Sequence, residues 1–169
     1  MNPDGPAIVE YTLKSNPRIN INVSTNGSAR DREYWSQLGK NRINVWFCLD
    51  GLEDTHSLYR QDTNFQTVLK NAAILKSTGG KPIWQYTVFE HNKHQVETAK
   101  QLSKDLGFVN FVIRPNNRPN GPVFNRQGQK VFHIGTKNSN NIPDQIDEDF
   151  VRNNFKNSKL SGTRSKIQC

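Results

Sequence analysis

Residues 44–60 read NVWFCLDGLEDTHSLYR. From Ile43 onward the residues alternate, with Ile43, Val45, Phe47 and Leu49 on one side and Asn44, Trp46, Cys48 and Asp50 on the other. That is the two-residue period of a β-strand with two unlike faces. The run halts at Asp50-Gly51. Asp-Gly also opens hairpins, but no second alternating strand follows, so a helical segment is expected after the turn.

Working outward, the same unit recurs. Upstream, Ile8, Val9, Thr12 and Leu13 fall at helical spacing and Asn16-Pro17 ends the pattern, a short helix. Ile19 to Ser24 alternates as a strand and closes in Thr25-Asn26-Gly27, after which Ser28 is the expected cap of a helix with Asp31 at its third position and Trp35 and Leu38 buried. Downstream, a helix is expected over Asn64–Thr78 with Phe65, Val68, Leu69, Ala72 and Leu75 on one face and Gly79-Gly80 as its stop. A third strand, Ile83 to Phe89, leads to Asn92 as cap of a helix whose face is Val96, Ala99, Leu102 and Leu106, ended by Gly107; Phe108 to Ile113 is the fourth strand. Strands alternating with amphipathic helices imply a parallel sheet and an α/β domain. Past Arg114 the stretch RPNNRPNGPVFNRQGQ is rich in Pro, Asn and Gly and reads as irregular chain, apart from a brief strand over Val131–Ile134.

Strands buried on both faces read as continuous apolar runs, and these do not. Asn20, Asn22 and Ser24, then Asn44, Trp46, Cys48 and Asp50, then Gln85 and Thr87, then Asn110 and Arg114 line one side. Two readings stay open: a lumen for a polar ligand, or a sheet face exposed to water. In such folds ligands sit beyond the carboxyl ends of the strands, which points to Thr25-Asn26-Gly27, Cys48-Leu49-Asp50-Gly51, Glu90-His91-Asn92 and Arg114.

Composition narrows the class. The 169 residues fit one domain and are too few for a complete barrel of about 250 residues. No apolar run approaches the roughly 20 residues that span a bilayer, and MNPDGPAIVEY lacks the basic-then-apolar pattern of a signal peptide, so no membrane association and a cytoplasmic location are expected. The formal charge is +8, of which residues 1–113 hold +2 (13 Lys/Arg against 11 Asp/Glu) and residues 114–169 hold +6 (10 against 4). A basic tail can bind nucleic acid through phosphates, but a solvated tail is the expected reading. Two cysteines, Cys48 and Cys169, argue against a disulfide framework and a self-contained zinc site. Cys48 reads as a simple buried thiol, His56 as structural or at the edge of a cofactor, and Trp46, Trp84 and Tyr86 as packing. His91 and His94 beside Glu90 form an HxxH pattern, read as a solvated helix start more readily than as a metal site.

VSTNG at 23–27, FCLDGLEDTHSLYR at 47–60, FQTVLKNAAILKSTGGK from Phe65 and WQYTVFEHN from Trp84 resemble, in order and spacing, the middle of a radical S-adenosylmethionine (radical SAM) enzyme. The resemblance implies a partial, TIM-like parallel (β/α) barrel of about four β/α units over residues 1–115, with an irregular extension at 116–169. It implies reductive cleavage of S-adenosylmethionine to a 5'-deoxyadenosyl radical that abstracts hydrogen, with a peptide or protein as the expected substrate class. The family's CxxxCxxC motif for a 4Fe-4S cluster and its Gly-Gly-Glu/Asp-Pro turn are both absent, so the chain is expected not to ligate the cluster and to be inactive alone. KIQC at 166–169 resembles the entry to a cysteine-rich, SPASM-like auxiliary-cluster domain, which implies Cys169 as its first ligand. By resemblance Cys48 stands where a serine often contacts the cofactor, Arg60 matches an arginine that pairs its carboxylate, and Thr25, Asn26 and Gly27 border the cofactor. Asp50 shares the inward face, Gln85 matches a lumen position and Val112 lies where a strand meets the adenine. The competing expectation is a non-catalytic nucleotide-binding or partner-binding module, or one half of a split enzyme whose missing N-terminal half carries the cluster.

Overall fold

A computed structural model describes residues 1–116 and 121–135 of the chain. Helix α1 (Gly5–Ser15) precedes strand β1 (Asn22–Thr25), helix α2 (Arg32–Lys40), strand β2 (Asn44–Cys48), helices α3 (Glu53–Tyr59) and α4 (Phe65–Ser77), strand β3 (Lys81–Val88), helix α5 (Val96–Asp105) and strand β4 (Asn110–Pro115). The four strands form one parallel sheet in the order β1-β2-β3-β4. Parallel neighbours need a crossover, and here α2, the α3–α4 pair and α5 make the three crossovers.

The alternation read in the sequence decides which face the helices cover. Val45, Phe47 and Leu49 join Trp84 and Tyr86 of β3 in a core with Trp35, Leu38, Val68, Ala72, Leu75 and Ala99 from the helices. Trp35, Val45, Phe47, Leu49, Val68, Leu75, Trp84, Tyr86 and Ala99 are all wholly buried. At about 25 cal/mol per Å² of apolar area removed from water, this layer dominates the stability of the sheet. Gly39 permits a close approach of α2 to α4: a Cβ there would meet the Thr78 hydroxyl and lie 2.5 Å from the Leu75 carbonyl oxygen. Gly27 is held at φ +71, where a Cβ would lie 2.6 Å from the Phe47 ring, and its carbonyl accepts from Asn71 Nδ2 at 2.8 Å.

Several elements differ from the expectation. Strand β1 starts at Asn22 rather than Ile19, because the chain leaves α1 through a turn in which Ile19 N–H donates to Asn16 O at 3.1 Å. Helix α2 is capped by Asp31, which accepts from Tyr34 N–H at 2.9 Å. Ser28 does not cap it: the chain is still turning at Arg30, φ +75, and Ser28 Oγ accepts instead from Asn64 N–H at 2.9 Å. Asn64 caps α4 as expected, accepting from Thr67 N–H at 2.8 Å. Asn92 stands at the N-cap position of a 3₁₀ turn over Lys93–Gln95 that leads into α5, but its side chain makes no capping bond and Gln95 precedes α5 itself. Leu106 follows α5 at its C-cap position and is exposed, not buried. Residues 121–134, expected to be irregular save for one strand, form an antiparallel hairpin of β5 (Gly121–Phe124) and β6 (Lys130–Ile134). Its turn is set by Asn125, whose Oδ1 accepts from Gln127 and Gln129 N–H groups, and by Gly128 at φ +75. Most of the 116–169 extension, including Cys169 and the bulk of the basic tail, lies outside the described residues.

Candidate functional site

The face of the sheet away from the helices is built in rows fixed by strand register. Ser24, Trp46, Ile83 and Asn110 lie across one row, Cys48, Gln85 and Val112 across the next, and Thr87 with Arg114 beyond them. Asp50, two residues past Cys48, continues the same parity at the carboxyl end. This face is not uniformly polar, as the alternation suggested: Trp46, Ile83 and Val112 form a second, smaller apolar cluster on it. Polar groups surround that cluster, with Cys48 Sγ 3.6 Å from both Ser24 Oγ and Gln85 Nε2.

The segment after β2 turns at Gly51, where φ is +131, a region that L side chains rarely adopt. The turn sends Asp50 inward, and the residue is wholly buried. Its carboxylate is fully engaged: Oδ1 accepts from Thr87 N–H at 2.7 Å and Oδ2 from Arg60 Nε at 2.7 Å. Its carbonyl accepts from Asn92 Nδ2 at 3.1 Å, while the same Nδ2 also reaches Thr87 O and Asn92 Oδ1 takes Phe89 N–H. Asn92 is thus a buried strut between the ends of β2 and β3, a task its residue type and position in the sequence do not announce.

His56, on α3, is the second anchor. Its Nδ1 accepts from Asp50 N–H at 3.3 Å, so the ring proton sits on Nε2 and is donated to Thr63 Oγ1 at 2.9 Å; that hydroxyl donates in turn to Arg60 O at 2.6 Å. Burial lowers the His56 pKa to about 4, against an opposing pull from Asp50, so the ring is neutral near pH 7. The expectation that His56 is structural agrees with this geometry. Gln95 completes the support by accepting from Leu52 N–H and donating to Asp54 at the start of α3.

Arg60 is the C-cap of α3. Burial opposes its charge, but the neighbouring Asp50 carboxylate holds its pKa above the ordinary arginine value. Only Nε is used in the ion pair, which leaves both Nη groups without a hydrogen-bond partner among the described residues. A buried carboxylate therefore aims a guanidinium end whose planar donors suit another carboxylate.

The structure places Cys48 at the end of β2 with Asp50 just beyond it and Arg60, from the end of α3, paired to Asp50, while Gln85 and Val112 lie in the same row as Cys48 but in the middle of β3 and β4. It does not put Thr25 among them: Thr25 has the opposite parity to Ser24, and its hydroxyl accepts from Gly27 N–H and donates to Met1 Sδ. Asn26 is exposed and Gly27 buried at the turn that follows. Glu90 pairs with Lys93 at 2.6 Å, and His91 stacks on Phe89 at 5.4 Å and meets Phe132 of β6 edge-on, its buried Nε2 having no hydrogen-bond partner among the described residues. The HxxH pattern thus brings no ligand set together, and among the described residues no group of three His, Cys, Asp or Glu is placed to hold a metal ion. A cluster bound by three cysteines does not fit a chain with two. The Arg60 Nη donors, unpaired among the described residues, suit a carboxylate, and the row of Cys48, Gln85 and Val112 offers both polar and apolar contacts. A groove of about 610 Å³ between α1 and α2 is lined by helix residues and by none of these groups.

No family model and no curated protein matches the chain. Solved structures do. A histidine-tagged anSMEcpe with bound AdoMet superposes with a TM-score of 0.56 at 17% identity, over 75% of this chain and 36% of that one. SuiB of Streptococcus suis gives a TM-score of 0.61 at 12% identity, over 79% and 29%. Native anSMEcpe with bound AdoMet gives 0.54 at 18% identity, over 69% and 33%. The likeness is therefore one of fold, and the chain spans about a third of the length of these proteins. With its alternating units and single parallel sheet among the described residues, the chain has the fold of a partial, TIM-like parallel (β/α) barrel, shared with these structures.

Proposed function

We propose that the chain binds S-adenosylmethionine across the carboxyl ends of β2, β3 and β4, as part of a radical SAM enzyme whose iron–sulfur cluster is ligated by residues outside this chain. One observation carries the reading: the buried Asp50 holds Arg60 through Nε alone, beside the Tyr59 ring, and its Nη groups have no hydrogen-bond partner among the described residues. Arg60 would hold the methionine carboxylate, Cys48 and Gln85 would meet polar cofactor atoms, and Val112 would lie against the adenine. The turn of Asn26 and Gly27 after β1 would border the site, with Thr25 supporting that turn through Gly27 N–H. In the family that the sequence resembles, the cofactor is the source of a hydrogen-abstracting 5'-deoxyadenosyl radical. The protein's part is to bind, orient and exclude competing reactions. A peptide or protein is the proposed substrate class, and no described helix is long and apolar enough to cross a membrane.

Isothermal titration of the chain with S-adenosylmethionine tests the reading. Saturable heat supports it, and no heat, with or without a chain that supplies the cluster, removes it.

A second reading, a non-catalytic module or half of a split enzyme, is favoured by the outer edge of β1. Among the described residues that strand pairs only with β2, and Ile8, Tyr11 and Ile19, which precede it in the sequence, are exposed. An open strand edge and exposed apolar groups invite a partner. Light scattering of the chain mixed with a cluster-bearing half distinguishes the readings: a stable complex favours the second.

A further inference from the structure

We propose that Arg114, seated on Trp46, is a binding site for a carboxylate carried by a peptide substrate, as an acidic side chain or a free C-terminus. Arg114 lies on β4 in register with Thr87, at the same strand ends as Asp50. Its guanidinium carbon is 5.6 Å from the centre of the Trp46 ring, a cation–π distance. The ring is itself fixed, being buried and donating through Nε1 to Asn22 Oδ1 at 3.3 Å. Asn22 Oδ1 also accepts from Asn44 Nδ2 at 3.1 Å, so β1 and β2 together set the plane on which the guanidinium rests.

What makes this a site is the missing counter-charge. Among the described residues Arg60 pairs with Asp50, Arg126 with Asp62, and Lys14 and Lys93 with glutamates in their own helical turns, and most of the other basic side chains are exposed to water, whereas Arg114 is half-buried. Arg114 has no carboxylate within 4.0 Å among the described residues. Asp50 is the one acidic residue in the rows on that face, and both of its oxygens are already taken by Thr87 and Arg60. A half-buried cation, orientated by an aromatic plane and left without an anion, is matched by a ligand that brings one. Since Arg60 is given to the single carboxylate of the cofactor, the assignment of Arg114 to the substrate rests on the function proposed above. The presence of an anion site does not.

The test uses two probes on the isotopically labelled chain: N-acetyl-L-glutamic acid α-amide, with one side-chain carboxylate, and its neutral counterpart N-acetyl-L-glutaminamide. N-acetyl-L-alanine and its amide repeat the comparison for a C-terminal carboxylate. The expected result is a saturable shift of the Trp46 indole N–H and the Arg114 Nε–H with at least one acid. The neutral probe, and the acid with Arg114→Gln, should bind roughly tenfold or more weakly, as loss of a charge-assisted hydrogen bond implies. Arg60→Gln should keep the response. Equal shifts with acid and amide, no shift with either acid, or an unchanged response in Arg114→Gln would overturn the proposal. A parallel titration with S-adenosylmethionine separates the two claims. A response of Arg114 to the cofactor alone assigns the cation to the cofactor and overturns this inference. A response to the acid without any cofactor binding leaves the site standing and removes the function proposed above.

Discussion

Arg60 donates through Nε to Asp50 Oδ2 at 2.7 Å, while the other oxygen of the same carboxylate takes the backbone N–H of Thr87 on the next strand at 2.7 Å. One wholly buried acid therefore joins the end of β2, the end of α3 and β3. Asp50→Ala leaves the mostly buried Arg60 charge and the Thr87 N–H without partners. The expected loss is about 3 kcal/mol, the lower end for breaking a buried pair because Arg60 keeps some solvent contact. Asp50→Asn keeps an acceptor for Thr87 and should lose less. Urea unfolding of the two variants against the parent protein measures both.

His56 gives a dependence on pH. Its folded pKa of about 4 lies below the unfolded value of 6.5, so between those values the unfolded chain binds a proton that the folded chain refuses. Stability is therefore complete above pH 6.5 and falls as the pH drops towards 4, by about 3 kcal/mol at most. The slope should flatten below pH 4 as far as this group is concerned. His56→Gln should remove this part of the acid limb, as read by denaturant midpoints across that pH range.

Gly39→Ala should be destabilising although alanine is the better helix former, because the new methyl group meets the Leu75 carbonyl of α4 at 2.5 Å. Forcing extra volume into such a contact costs about 1 to 3 kcal/mol. Trimming the nearer obstacle, the Thr78 hydroxyl, with Thr78→Ala should not fully restore stability, since the Leu75 carbonyl behind it is backbone. Thermal unfolding of the single and double variants decides it.

Cys48→Ser puts a stronger hydrogen-bond donor between Ser24 and Gln85. If this position contacts the cofactor, S-adenosylmethionine should bind several-fold more tightly, in line with about 1 kcal/mol for one added hydrogen bond. Titration calorimetry measures the change, and a weaker affinity in the serine variant would contradict the contact.

Much of the fold is legible in the sequence because strand alternation and helix periodicity report burial directly. Val45, Phe47 and Leu49 face the helices as their spacing says, and Asn64 caps α4 as its position says. What is hidden depends on contacts between distant segments. Ser28 and Asp31 are both competent caps, and the choice falls to Asp31 because Ser28 is drawn to the Asn64 N–H, 36 residues away. Asn92 has the residue type of a cap, but the 3₁₀ turn beside it and the carbonyls of Asp50 and Thr87 make it a strut. The hairpin at 121–134 is obscured by its Pro, Asn and Gly content, although Asn125 and Gly128 are the turn signal itself. At the site, the sequence points to Arg60 and Asp50 separately; their pairing, and the cluster of Trp46, Ile83 and Val112 on a face read as polar, emerge only from strand register.

The central claim is that Asp50 aims Arg60 at the carboxylate of S-adenosylmethionine. Calorimetric titration of the parent protein and Arg60→Gln with S-adenosylmethionine and with 5'-methylthioadenosine, which lacks the amino-acid end, tests it most directly. Arg60→Gln is expected to weaken S-adenosylmethionine roughly tenfold or more, as follows for a lost charge-assisted pair, and to leave 5'-methylthioadenosine unchanged. Equal affinities of the two proteins for S-adenosylmethionine, or no binding by the parent protein, would contradict it.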